Sequence, residues 1–353
     1  MAINDLTKGT GAWLSGEGPL ADVVISSRVR LARNLAGYDF LSRASESDKR
    51  KIYRTLSDAI AESGVGRDCV FIDMEQASEI DRQVLVERHL ISKQHADAEG
   101  NPRGVAVSAG ETRSLMINEE DHLRIQVLRS GLQLEQLWRE IDEVDDAIER
   151  LVDYAFDSRY GYLTACPTNV GSGIRVSVMV HLPALKLTQE IERVLRAAKD
   201  MRLAVRGLYG EGTEATGDFF QLSNQTTLGV SEADLVREFS RTIIPKVVEY
   251  ECAARELLAK ERAHQLDDKI WRAYGTLQTA RTMSSEETLF HLSHVRMGVN
   301  MRRFSRTDLS TINELFLHCQ PAHLQKMIGE RLDGEHRSIA RADYLRRRLA
   351  SDN

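Results

Sequence analysis

The amino-acid sequence predicts an α+β protein: one domain built on a largely antiparallel sheet flanked by helices, followed by an all-helical C-terminal domain. Three observations carry this. Short β-branched or alternating runs recur from about residue 23 to residue 221, with helical stretches between them. After Ser231 only helical periodicity continues. At 353 residues and 42% hydrophobic, the chain is better divided over two cores than gathered into one.

Strands are expected at Val23-Val24-Ile25, Val70-Phe71-Ile72, Val105-Ala106-Val107, Leu123 to Leu128 and Ile174 to His181. Ser47 to Ser63 and Leu132 to Ala155 read as helices between them. Ser231 is a plausible helix cap ahead of apolar positions Leu235, Phe239, Ile243 and Val247. Ser284 and Glu287 form a capping box before Leu289, Leu292 and Val295, and Pro321 sits where a helix can begin. The expected division is residues 22–254 and residues 257–353.

Composition excludes several function classes. A net charge of −6 offers no global attraction to nucleic acid or an anionic membrane. Met1 to Gly18 lacks the basic start and apolar run of a secretory signal, and no apolar run approaches the ~20 residues of a membrane span. A soluble, cytoplasmic protein is expected. Cys69, Cys166, Cys252 and Cys319 stand far apart and in no zinc-type spacing, so reduced thiols are expected and no protein-bound metal.

The chemistry lies in the arginines. In Ile174 to His181 the alternation puts Ile174, Val176, Val178 and Val180 on one face and Arg175, Ser177, Met179 and His181 on the other. Arg28 and Arg30 share a face in the same way, and Arg124 stands between two buried-type neighbours. Taken singly, each is an ordinary rim residue with an acidic partner. Several on one sheet face would repel one another unless an anion sat among them, and triphosphate is the natural occupant. Arg206 opens a run with Gly207, Gly210 and Gly212 that would allow close backbone approach to a ligand, although no P-loop is present. Asn118-Glu119-Glu120-Asp121-His122 puts a dense negative patch before Arg124. A carboxylate there could orient a cationic acceptor and take its proton, with Glu120 and Glu211 as two sides of a clamp. Cys166 lies in a turn of small and polar residues.

In this order, the strings SSRVR, NEEDHLR, CPTNVGSGIR and RGLYGEGTEA resemble the catalytic domain of the phosphagen (ATP:guanido) kinases across roughly Asp22 to Glu251. The resemblance implies a phosphagen-kinase-like sheet domain and a magnesium-ATP site. Its phosphates would be held by Arg28, Arg30, Arg124, Arg175 and Arg206, with His89 near the nucleotide. Ser26, Ser27, Val29, Val176, Ser177, Val178, Met179, Gly207, Leu208, Tyr209, Gly210 and Glu211 would complete that site. Glu120 would be the catalytic carboxylate, Glu211 its partner on the guanidinium, and Cys166 a thiol beside the acceptor.

Two departures refine the resemblance. Phosphagen kinases carry a helical domain ahead of SSRVR, whereas here only residues 1–25 precede it and the extra helices follow. That arrangement resembles the bacterial protein arginine kinases of the McsB type, and the resemblance implies protein-borne arginine as acceptor, a homodimer, and a phosphoarginine pocket carrying an RDxxRA motif. Here Arg337 and Arg341 stand in that motif with Ser338 in place of the aspartate. The same resemblance implies stress-linked protein quality control and, as partners, an activator protein, a heat-shock repressor and a Clp unfoldase. Two alternatives are a kinase for free arginine or another small guanidino compound, and a catalytically weak phosphoarginine-binding adaptor.

Overall fold

The computed structural model describes residues 9–97, 100–207 and 216–350. In chain order its strands are β1 (Val24–Arg33), β2 (Cys69–Asp73), β3 (Gly104–Ser108), β4 (Arg113–Ile117), β5 (Leu123–Ser130), β6 (Phe156–Asp157), β7 (Gly161–Tyr162), β8 (Ile174–His181), β9 (Leu203–Gly207) and β10 (Phe219–Asn224). Eight form one sheet in the order β2-β3-β4-β5-β1-β8-β10-β9, and every neighbouring pair is antiparallel. β6 and β7 make a separate small hairpin.

The helices that flank the sheet are α1 (Glu46–Glu62), α2 (Glu79–Glu87), α3 (Lys93–Ala96), α4 (Leu134–Glu149), α5 (Pro183–Leu187), α6 (Ile191–Asp200), α7 (Glu232–Glu238) and α8 (Ile244–Glu261). Beyond them come α9 (Ala263–Thr279), α10 (Ser285–Asn300), α11 (Leu309–His318), α12 (Pro321–Ile328) and α13 (Gly334–Ala350). The serine caps act as their sequence implies: Ser231 accepts from the Asp234 amide and Ser284 from the Glu287 amide. Leu235, Phe239, Ile243 and Val247 are all buried, but the helix they mark has one wide turn at 239–243. Pro245 lies just beyond that turn; it has no N–H to give the Arg241 carbonyl, and its ring would crowd that carbonyl in a regular helix.

The helix expected over 132–155 is shorter. It ends at Glu149, because the chain then turns back to the sheet: the Ala36 amide donates to the Asp153 carbonyl and the Ala155 amide to the Asn34 carbonyl. Strands β4, β9 and β10 were not marked by β-branched runs, and their pairing with neighbours makes them strands.

Alternation divides the sheet chemically. On one face Val29, Leu31, Ile125, Val127, Val176 and Val178 pack with Leu137 and Ile141 of α4 in the main core. Each such buried side chain contributes on the order of 1.5–3 kcal/mol of transfer free energy. That core also takes in Phe239, Ile244 and Leu258, and continues to Leu266 and Ile270 of α9. On the other face, Ile25, Leu128, Met179 and Phe219 join a second core with Leu277, Leu292, Leu315 and Phe316. Towards the β2 edge the same face carries a third cluster, in which Val105, Val107 and Met116 pack with Leu85 and Leu90, and the polar residues lie between the two apolar patches.

Candidate active site

Arg28 and Arg30 project from β1 away from the apolar core. The strand register sets Arg30 opposite Arg175 of β8 and Arg28 opposite Ser177. On the other side of β1, Arg124 of β5 stands opposite Ala32, while beyond β8 Arg206 of β9 faces Gln221 of β10. These five arginines, drawn from four strands, border a single cavity of about 950 Å³.

Polar neighbours aim some of them. Arg28 Nη2 donates to Gln221 Oε1 at 2.6 Å, and Arg175 Nη2 donates to Ser223 Oγ at 3.1 Å. Burial, followed by the nearby charges of Arg124, Arg175 and Arg206, pushes the Arg28 guanidinium down to about 9. Arg30 is also held well below the ordinary arginine value, by burial and then by Arg28, Arg124 and Arg175. Its buried Nε has no hydrogen-bond partner among the described residues. Concentrated, mutually repelling cations and an unused buried donor fit a polyanionic ligand.

His89 lines the same cavity with positive φ (57°). Gln126 Nε2 donates to its carbonyl at 2.7 Å, and its ring meets Trp13 edge-on at 4.9 Å between centroids. Burial and then Arg28 and Arg30 push its imidazole down to about 3, so it is neutral at pH 7.

The β4–β5 turn brings the carboxylates to the cavity. Asn118 has positive φ (59°), and its side-chain amide donates to the Lys49 and Pro102 carbonyls. Glu119 is buried; it pairs with Arg124 at 2.6 Å, accepts from Ser92 Oγ at 2.5 Å and accepts from the Glu120 amide at 2.9 Å. Burial alone would raise its carboxyl, but Arg124 and Ser92 outweigh that and bring it down to about 2. Glu120 itself is half-buried and lines the cavity. Burial and then Asp121 and Glu119 raise its carboxyl above the ordinary value.

Asp121 joins this turn to the cysteine loop. Its Oδ1 accepts from Asn34 Nδ2 at 2.6 Å and from the Ala165 amide at 2.7 Å. Cys166 follows, lining the cavity with its Sγ 3.0 Å from Thr168 Oγ1. Glu120, Cys166 and the five arginines thus converge, although they lie far apart in the chain.

Other candidates are placed differently. Ser26, Ser177 and Met179 border a small void of about 10 Å³ beside Arg28 and His89. Ser27 is buried and donates to the Gly131 carbonyl at 2.7 Å. The side chains of Val29, Val176 and Val178 turn into the main core by strand alternation, so they do not line the cavity. Gly207 closes β9 opposite Phe220. Leu208, Tyr209, Gly210 and Glu211 lie outside the described residues.

In α13, Arg337 is partly buried and donates to the Leu332 carbonyl at 2.8 Å, and Ser338 Oγ donates to the Gly334 carbonyl at 2.9 Å. Arg341 is only 2% exposed, and it donates to the carbonyls of Cys319 and Met283 at 2.7 and 2.9 Å. These bonds tie α13 to the loops before α10 and after α11.

Sequence reasoning missed Ser92, Gln221, Asn224 and Thr227, all of which line the cavity. The alternation of Gln221 and Ser223 with Phe220 and Leu222 was the available signal for Gln221; the same alternation puts Asn224 on the face of Leu222, so nothing in the sequence marked it. Among the described residues, no group of three His, Cys, Asp or Glu side chains could hold a metal ion. No described helix is long and apolar enough to cross a membrane.

Comparison with known proteins agrees with this geometry. Residues 51–254 match the family described as ATP:guanido phosphotransferase, C-terminal catalytic domain, and residues 263–353 match the protein-arginine kinase McsB C-terminal domain. The chain is 44% identical over 350 residues to a protein-arginine kinase of Halothermothrix orenii, covering 99% of each chain. It is 45% identical over 355 residues to one of Symbiobacterium thermophilum, covering 99% of this chain and 100% of the relative. Among solved structures, the duplicated taurocyamine kinase of Schistosoma mansoni aligns with a TM-score of 0.60 and 28% identity, covering 71% of this chain and 36% of that one. The chain belongs to the protein-arginine kinases of the ATP:guanido phosphotransferase family.

Proposed function

We propose that this enzyme transfers the γ-phosphoryl group of ATP to arginine side chains in proteins, with the arginine-lined cavity as nucleotide site and Glu120 as general base. The carrying observation is that Glu120 and five arginines border one cavity. In the reaction a guanidinium nitrogen attacks the γ-phosphorus in line. The N–P bond forms as the bond to the β-phosphate oxygen breaks, ADP departs, and the nitrogen's proton passes to the Glu120 carboxylate. A guanidinium has a pKa above ~12, so a base beside it is required. The raised carboxyl of Glu120 makes it a stronger base than an ordinary glutamate, while the arginines stabilise charge on the phosphoryl oxygens. Magnesium would enter on the phosphates and offset their charge. Glu211 is proposed as the second carboxylate on the guanidinium, and Cys166 as its neighbour.

The test is incubation of the purified chain with magnesium-ATP, an arginine-containing protein and free arginine together. Mass spectrometry under conditions that preserve acid-labile phosphate reads the products. Phosphate on protein arginine is expected; phosphate on free arginine alone would move the enzyme to small guanidino acceptors.

Family membership supports the wider reading. On it the enzyme is a cytoplasmic homodimer in stress-linked protein quality control, with a helical domain from residue 257 and with an activator, a heat-shock repressor and a Clp unfoldase as partners. Arg337 and Ser338 would meet phosphoarginine there, with Arg341 holding their helix in place.

A further inference from the structure

The end of α2 is gripped by the C-terminal helices. Glu87, its last residue, accepts from the Ala322 and His323 amides at 2.8 and 2.9 Å and from His323 Nδ1 at 2.7 Å. The Gln320 side chain makes no cap to α12, so a carboxylate from the sheet domain satisfies that helix N-terminus instead. Arg88 is fully buried. It donates to both oxygens of Glu111, at 2.7 and 2.6 Å, and to the Gly9 carbonyl, and its Nη1 lies 3.1 Å from His323 Nε2. Because arginine can only donate, Nε2 is the acceptor and the imidazole proton sits on Nδ1, facing Glu87.

His323 therefore holds two consecutive residues, and the next residue in the chain is His89. A left-handed backbone at a residue other than glycine persists where its surroundings fix it. The segment then continues along the cavity wall to Ser92, whose hydroxyl reaches Glu119. Glu119 in turn meets Arg124 and the Glu120 amide. Thus one stretch of chain, residues 87–92, is held by hydrogen bonds to α12 at its start and to Glu119 of the nucleotide wall at its end.

We propose that His323 is a positioning residue for ATP binding, acting through Glu87 and Arg88 on the placement of His89. The proposal rests on the reading of the cavity as the nucleotide site. It makes the seat of α12 part of the active-site architecture, although His323 touches no substrate.

The test uses the full chain and measures ATP affinity directly, together with KM for ATP and kcat. In His323→Ala, ATP affinity falls about tenfold, the size of coupling found within one hydrogen-bonded network. KM for ATP rises in step, and kcat changes less. The double variant His323→Ala/His89→Ala binds ATP no worse than His89→Ala alone. Should alanine impair folding, His323→Asn retains a donor towards Glu87 but loses the contact with Arg88, and the same loss of ATP affinity is expected. Unchanged ATP affinity in a folded His323 variant, or additive losses in the double variant, would overturn the proposal. Arg30→Ala separates the two levels: if it binds ATP normally, the cavity reading itself fails, whereas weakened binding there with none in His323→Ala sinks only the role of His323.

Discussion

At Arg30 a buried donor without a partner among the described residues sits among like charges, an arrangement that an anion would relieve. A hydrogen bond to a charged group is worth about 1.5–3 kcal/mol, so Arg30→Ala should weaken ATP binding about 10- to 100-fold in a direct titration. Unchanged affinity would remove Arg30 from the phosphate site. Glu120 predicts a pH dependence. Its carboxyl is raised, and a base works only when deprotonated, so kcat/KM should fall with falling pH at a value above the 4.5 of an ordinary glutamate. If the acid limb lay at or below that value, the raised carboxyl would not be governing the rate. These residues were legible because Arg28, Glu120, Cys166, Arg175 and Arg206 stand in recognisable strings. Ser92 and Gln221 were not, because neither residue type implies chemistry until pairing and loop closure bring it to the cavity.

Elements decide which strand residues reach the site. Alternation in Ile174 to His181 correctly separated Arg175 from Val176 and Val178, and β8 occupies that span. β4 and β10 escaped notice because their strand character comes from hydrogen-bonded neighbours, and the helix expected to 155 stopped at Glu149 because the following chain pairs back to residues 34–36. The turn between β4 and β5 depends on Glu119, whose folded carboxyl lies at about 2 against an ordinary 4.5. A depressed carboxyl contributes stability above its unfolded pKa, and that contribution is lost as pH falls from about 4.5 towards 2. Glu119→Gln leaves Arg124 without its buried partner, and about 3 kcal/mol of stability should be lost at pH 7. Denaturant titration at pH 7 and pH 3 checks this: the difference from the parent should shrink at the lower pH, and a constant difference would argue against the ion pair as its source.

Across the whole molecule, the two sequence-matched regions share packing. Leu266, Ile270 and Met297 belong to the same core as the central strands, and fully buried Arg296 donates to the Asp22 and Ala21 carbonyls at 3.0 and 2.8 Å. The switch to helix after Ser231 was visible in the sequence, but this interlocking was not, since it depends on which apolar faces meet. Such shared cores predict a single calorimetric unfolding transition; two well-separated transitions would show that the regions unfold independently. The central claim is that the sheet face binds the triphosphate while Glu120 takes the acceptor's proton. The most direct measurement is single-turnover phosphoryl transfer by Glu120→Gln beside its ATP affinity. Loss of a general base lowers the rate about 10²- to 10⁴-fold, and ATP binding should persist because the arginines remain. Transfer at the parent rate, or equal loss of transfer and ATP binding, would contradict the account.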